Sequence, residues 1–301
     1  MRPQAMQPTK TAPSPAALPA TDWGQDLTPV FTASLFRPLL AELVGLLRAL
    51  NAADWDRATL AGAWKVRDVA AHLLDGDLRK LSACRDEHRA HPEAPIRTDQ
   101  DLLRFINTLN ATGVAFSARL SHRLLTDLLE ITGGWVAELI EGLPPHEPAL
   151  FAVSWAGERE SENWMDTGRE YTERWHHQMQ IRDAIGEPRL LVPHWMEPLL
   201  DLSVRALPVA YADVPAPEGA AVTLEVHGPT AGAWSVAREG GAWQVRRGKP
   251  PSPQALVRVG TDDVWRLFYN ALRSPGLMDR IEIQGDRTLA EPMLHTRSVI
   301  V

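Results

Sequence analysis

Asn163 to Gly186, NWMDTGREYTERWHHQMQIRDAIG, reads as one long helix. Gly186 supplies the stop and Pro188 follows just beyond it, the usual end signal of a helix. Two faces can be drawn. Trp164, Tyr171, Trp175, Gln178, Arg182 and Ile185 recur at steps of three, four and seven and make a bulky, largely aromatic stripe. Asp166, Glu170, Glu173, His177 and Ala184 make a second stripe, acidic and then imidazole. Glu173 and His177 are four apart, so their side chains leave the same face one turn from each other. A helix offers a carboxylate and an imidazole to one cation at this spacing. The same spacing also serves as a plain surface pair, so a metal site needs a third ligand from elsewhere.

The chain of 301 residues is long enough for one large domain or two ordinary ones. Its 45% apolar and 23% charged residues are those of a globular protein, not of a disordered or fibrous one. A net charge of -7 and the lack of a basic patch interleaved with aromatics argue against a nucleic-acid partner. The one cysteine, Cys84, excludes an intramolecular disulfide framework and a thiolate cage for a metal. It is read as a small helix residue and not a nucleophile, because no histidine stands at an activating spacing. No apolar run approaches the roughly 18–20 residues of a membrane span. Met1 to Thr21 is Pro, Ala, Gln and Thr without the apolar core of a signal peptide. Residues 1–22 are therefore expected to be a disordered leader, and the protein to be cytoplasmic, a monomer or homodimer, with no membrane partner.

Four helical blocks are expected in residues 23–188, joined as an antiparallel four-helix bundle. The first spans Leu27 to Leu50, with Leu35, Leu39, Leu43, Leu46, Leu47 and Leu50 on its buried side. The second runs from Trp64 or Lys65 to about Arg89, with Val66, Val69, Ala70, Leu73, Leu74 and Leu81 inside. His72 sits at the margin of that apolar side, with Asp68 and Asp75 within one turn. It is either a core histidine held by one hydrogen bond or an imidazole whose tautomer Asp68 or Asp75 fixes. The third block, Asp99 to Gly142, is expected to bend near Gly113 or at Gly133-Gly134, and the fourth is the helix quoted above. The loop Phe151 to Glu162 is anchored by Trp155.

Residues 189–301 change texture. A helix over Pro193 to Ala212 leads to a VPAPEG hinge, Val214 to Gly219. Strands follow at Ala221–His227, Ala233–Ala237, Ala242–Arg246, Ala255–Gly260 and Ile281–Gln284, with a hairpin at Glu239-Gly240-Gly241. Helices are expected over Thr261–Leu272, with Thr261 as N-cap, and over Asp286–Leu294. The fold class is thus an all-α N-terminal bundle followed by a smaller α+β domain.

Three segments carry a resemblance. WKVRDVAAHL, Trp64 to Leu73, resembles the second-helix signature of the DinB-like superfamily, and more narrowly the mycothiol-dependent maleylpyruvate isomerase group. ERWHHQMQIRDAIG, Glu173 to Gly186, looks like that family's E-x-x-x-H helix. GTDDVWRL and IEIQGDRTLA, near the end, are similar to its companion C-terminal domain, which resembles sterol carrier protein type two. The likeness covers nearly everything after the leader, in order.

The resemblance implies a metal triad on His72, Glu173 and His177. Two imidazoles and one carboxylate suit one divalent ion, zinc first and nickel or iron as alternatives, with a coordination position left open. His176, about 100° round the helix from His177, is expected to pack or hydrogen-bond; Gln180 and Glu170 either support the pair or are solvated. In such a family the open position receives a low-molecular-weight thiol, such as mycothiol or bacillithiol, as thiolate. It would add to the cis double bond of maleylpyruvate, permit rotation, and leave; a thiol S-transferase is the sister activity. Arg273 is the candidate for a substrate carboxylate. The competing class is a non-catalytic protein that binds a small molecule or lipid, with a structural metal closed by His176, Asp68 or Asp75 as fourth ligand. Other catalytic motifs are absent: there is no G-x-G-x-x-G, P-loop, G-x-S-x-G or H-E-x-x-H run.

Overall fold

A computed structural model of the chain describes residues 23–92, 94–271, 274 and 276–299. The expected leader, residues 1–22, lies outside them. The helical half holds α1 (Phe36–Ala49), α2 (Val66–Lys80), α3 (Asp99–Ser117), α4 (His122–Glu141) and α5 (Asn163–Ile185), then α6 (Pro193–Ser203) and the short α7 (Leu207–Ala210). α1 and α2 each pack on α4 and α5, and α3 lies along α2. No helix among the described residues is long and apolar enough to cross a membrane.

The third block is two helices, and the break is at neither glycine site. Ser121 starts α4 by accepting a hydrogen bond from the Leu124 amide at 3.2 Å, a helix-start signal that competes with continuation. Gly113 and Gly133 lie inside helices. They are small because partners press on them: a Cβ at Gly113 would stand 2.2 Å from Asp75 Cγ, and one at Gly133 would stand 2.6 Å from Leu40 Cδ1. The second block is also shorter than expected, because α2 gives way at Lys80 to a single π turn over Leu81–Arg85.

α5 matches the expected helix, with Gly186 left-handed at its C-cap (φ 76°). It is buried on most of its circumference, which places it at the centre of the molecule. Tyr171 and Trp175 of the aromatic stripe are fully enclosed, and Tyr171 donates from its hydroxyl to the Trp195 carbonyl on α6 at 2.7 Å.

The second half is a five-stranded sheet in the order β3-β2-β1-β4-β5. Its strands are β1 (Ala221–His227), β2 (Gly232–Glu239), β3 (Ala242–Arg247), β4 (Ala255–Gly260) and β5 (Glu282–Gly285). β1 and β4 run parallel, Leu224 opposite Val257, and the other pairs are antiparallel. The β2–β3 hairpin turns on Gly240 and Gly241, both at positive φ, as a two-residue loop of this twist requires. α8 (Thr261–Phe268) and α9 (Arg287–Leu294) complete the fold. Gly260, not Thr261, is the N-cap of α8. The Thr261 hydroxyl is directed back to the β1 end, where it donates to the His227 carbonyl at 3.1 Å. One buried apolar cluster runs without interruption from α4, α5 and α6 into β1, β2, β4 and α8. A second, smaller cluster joins α1, α2, α4 and Ile181 of α5.

Candidate metal centre

α2 and α5 pack side by side, and their facing sides bring His72 to Glu173 and His177. One donor atom from each lies within 4.8 Å of the other two. His177 Nε2 is 3.5 Å from Glu173 Oε2, and the His72 and His177 rings meet at 4.5 Å and 70°. Donors around a tetrahedral ion, each about 2.1 Å from it, stand about 3.4 Å apart. The Glu173–His177 pair already has that separation, so small side-chain rotations suffice to close the set.

Two further observations fit the donor set to a cation. His72 Nδ1 is buried without a hydrogen-bond partner, although buried ring nitrogens are ordinarily satisfied. His177 Nδ1 faces Gln180 Oε1 at 2.9 Å. An amide oxygen only accepts, so Nδ1 carries a proton, and Nε2 is the ring atom turned toward Glu173.

Burial, followed by the nearby His177, drives the His72 imidazole well below its ordinary pKa, so it is neutral at pH 7. Burial works against the Glu173 carboxylate, but the His177 hydrogen bond and the neighbouring His176, His177 and Arg169 outweigh it and keep the group ionised. The His72 imidazole and the Glu173 carboxylate are thus ready for a cation without a change of protonation.

His176 belongs to a different environment. Its Nδ1 is 2.9 Å from the Thr172 carbonyl, to which it donates, and its ring stacks on Tyr269 at 4.7 Å. Burial and His177 push it down to about 3. Asp68 and Asp75 are not imidazole partners. Asp68 Oδ2 accepts from the Lys65 amide at 3.0 Å in the α2 capping box, and Asp75 pairs with Arg79 at 2.9 Å. Glu170 is not solvated: it contacts Arg169 at 2.7 Å inside a buried ion cluster. Cys84 is half-buried in the π turn, and burial pushes its thiol up. Arg273 lies outside the described residues.

Sequence reading missed Trp64 as a wall of the site, its ring 5.0 Å from that of His72, and Tyr269 behind His176. Tyr269 carries no local signal, since it comes from the other half of the chain. A surface groove of about 530 Å³ is lined by Trp55, His122, Arg48 and Arg123 and includes none of the triad. Its size does not bear on the metal site.

Residues 36–182 match the family described as the mycothiol maleylpyruvate isomerase N-terminal domain. The chain is similar in fold to the crystal structure of the mycothiol-dependent maleylpyruvate isomerase, with a TM-score of 0.50 and 14% identity, covering 84% of this chain and 91% of that one. A mutant form of that enzyme superposes with a TM-score of 0.48 at the same identity and coverage. No curated protein matches the chain. The triad thus lies within the residues that match the mycothiol maleylpyruvate isomerase N-terminal domain family.

Proposed function

We propose that the protein is a divalent-metal-dependent enzyme using a low-molecular-weight thiol, either an isomerase of the maleylpyruvate type or a thiol S-transferase. His72, Glu173 and His177 would hold the ion, zinc first and nickel or iron as alternatives. The observation that carries the reading is the size of the donor set. It has three members, and no fourth histidine, cysteine or carboxylate joins it among the described residues. Structural zinc sites close with four protein ligands, whereas catalytic ones use three and leave a position open. When bound there, the cation lowers the pKa of a thiol and favours its thiolate at neutral pH.

The chain's own residues prepare that position. Gln180 orients the His177 ring through Nδ1, and Trp64 covers one side of His72. The Glu173 side chain is 30% exposed, so a small molecule can reach the centre at the carboxylate. The family's name points to mycothiol; bacillithiol is the alternative low-molecular-weight thiol, and a small unsaturated or activated acid is the second substrate. A reduced thiol co-substrate suits a reducing compartment, and we take it to be the cytoplasm.

The test is elemental analysis of the untagged protein beside His72→Ala and His177→Ala. About one divalent ion per chain, absent from both variants, supports the site; maleylpyruvate turnover that needs both the metal and added mycothiol supports the reaction. A well-folded wild type that takes up no metal would sink the assignment and leave the non-catalytic binding protein ahead.

A further inference from the structure

We propose that Tyr269, from the C-terminal half, is a positioning residue for the metal ligand His177 and acts through the stacked ring of His176. The inference rests on the metal-site reading above. It adds a residue to that site from a part of the chain that supplies none of the three ligands.

The argument starts with His176. Its ring lies 3.9 Å from the His177 ring, tilted by 38°, and 4.7 Å from the Tyr269 ring, nearly parallel at 12°. His176 is therefore the middle layer of a three-ring stack that ends on a ligand. Its Nδ1–H donates to the Thr172 carbonyl one turn back, which leaves the ring little freedom to rotate away. Both His176 and Tyr269 are buried.

Tyr269 is fixed in turn. Its hydroxyl is 2.8 Å from Ser203 Oγ, and that oxygen donates to the Leu199 carbonyl at 2.7 Å on α6. Ser203 is fully buried. Two more contacts from α8 hold α5 on either side of the stack: Trp265 meets Trp175 edge to face at 6.1 Å, and Arg266 pairs with Asp183. A ligand ring needs its orientation held to about 0.5 Å and 10–20° for good coordination. Gln180 fixes His177 at one ring nitrogen only. The stack supplies the lateral restraint which that single hydrogen bond lacks.

Groups that orient a ligand without touching the metal ordinarily account for about 10–100-fold in affinity. Chelator competition for zinc, and the visible spectrum of the cobalt-substituted protein, are to be measured for wild type, Tyr269→Phe and Tyr269→Met. Trp243→Leu serves as a control, since Trp243 is buried against Tyr211 on the far strand of the sheet. Tyr269→Met, which keeps bulk but loses the ring plane, is expected to weaken zinc about tenfold and to shift the cobalt bands. Tyr269→Phe, which keeps the ring plane and loses only the Ser203 contact, stays closer to wild type than Tyr269→Met in both, and Trp243→Leu changes neither.

Wild-type affinity and spectrum in Tyr269→Met would overturn the proposal while leaving the metal site intact. A cobalt shift of equal size in Trp243→Leu would also overturn it, because general loosening would then explain the effect. If Tyr269→Met does not fold, His176→Gln tests the same link, and unchanged cobalt bands there count against it. A wild type that binds neither metal removes the site itself, and the positioning role with it.

Discussion

Lys80 Nζ stands 2.7 Å from Asp166 Oδ2, and both side chains are buried. The pair anchors a cluster between α2 and α5. Asp166 also receives Arg169 at 2.7 Å, Arg169 reaches Glu170, and Arg174 joins Asp77 at 2.6 Å, where Thr132 donates at 2.8 Å. Three cations meet three carboxylates, so the cluster is neutral as a whole. Burial works against the Lys80 charge, but Glu170 and Asp166 outweigh it. Because α2 carries His72 and α5 carries the other two donors, this cluster sets the register between the two halves of the triad.

Removing one member strands the others. Asp166→Leu is expected to cost about 3–5 kcal/mol in urea unfolding, the usual result of leaving a buried charge unpaired. Asp166→Leu combined with Lys80→Met is expected to recover part of that loss. Strictly additive costs in the two variants would show that the ions do not interact in the folded state.

Gln180→Leu removes the acceptor that fixes the His177 tautomer. Zinc affinity is expected to fall about 10–100-fold, with the fold and thermal transition nearly unchanged. Gln180→Glu, which still accepts at the same nitrogen, is expected to stay close to wild type. Chelator competition distinguishes the two, and equal affinities in all three proteins would reject the role.

The metal-free protein is expected to lose stability as pH falls below about 6.5. His72 and His176 have depressed pKa values when folded, His176 down to about 3, both first through burial. Unfolded histidine binds a proton near pH 6.5, so between that value and the folded pKa the unfolded chain holds more protons. Each such histidine contributes a slope of up to about 1.4 kcal/mol per pH unit, lost as pH drops. Glu170 joins only below its unfolded range near 4.3. Burial opposes its ionisation, but Lys80, Arg169 and Arg174 hold it down to about 2. Urea midpoints at pH 7.5 and 5.5 measure the effect, and His176→Gln is expected to flatten it.

The helix glycines divide by what surrounds them. A Cβ at Gly45 or Gly134 meets nothing within 4 Å, so Gly45→Ala and Gly134→Ala are expected to stabilise by about 0.5–1 kcal/mol each. At Gly113 the new carbon would overlap the Asp75 carboxylate, which is paired with Arg79. Gly113→Ala is expected to destabilise by about 1–3 kcal/mol. Thermal melts of the three variants decide between these signs.

Local chemistry made much of this legible in the sequence. The α5 helix could be drawn to its terminal glycine because periodicity and stop signal agree, and β1 was readable from its alternation. Glu173 and His177 came from spacing, whereas His72 needed a family likeness, because its surroundings on α2 describe a core histidine equally well. Other features depend on contacts between distant segments. Gly113 looks like a bend until Asp75 is seen pressing on it. Glu170 reads equally well as a solvated carboxylate until α2 meets α5 and Lys80 and Arg169 close on it. Thr261 has the side chain of an N-cap, yet its hydroxyl is drawn to the end of β1. No periodicity along one segment encodes such pairings.

The unbroken apolar cluster around α5 bears on how the protein can be divided. The family match ends at residue 182, inside α5, which closes at Ile185. Trp175 of that helix leans on Trp265 of α8. A fragment ending near residue 188 would turn Tyr171 and Trp175 outward to water, along with the surface of α5 that α6 now covers. Such a fragment is expected to aggregate or to fold only when the remainder is supplied in trans. A similarity boundary marks where ancestry can be traced; the buried apolar cluster continues past it into the sheet.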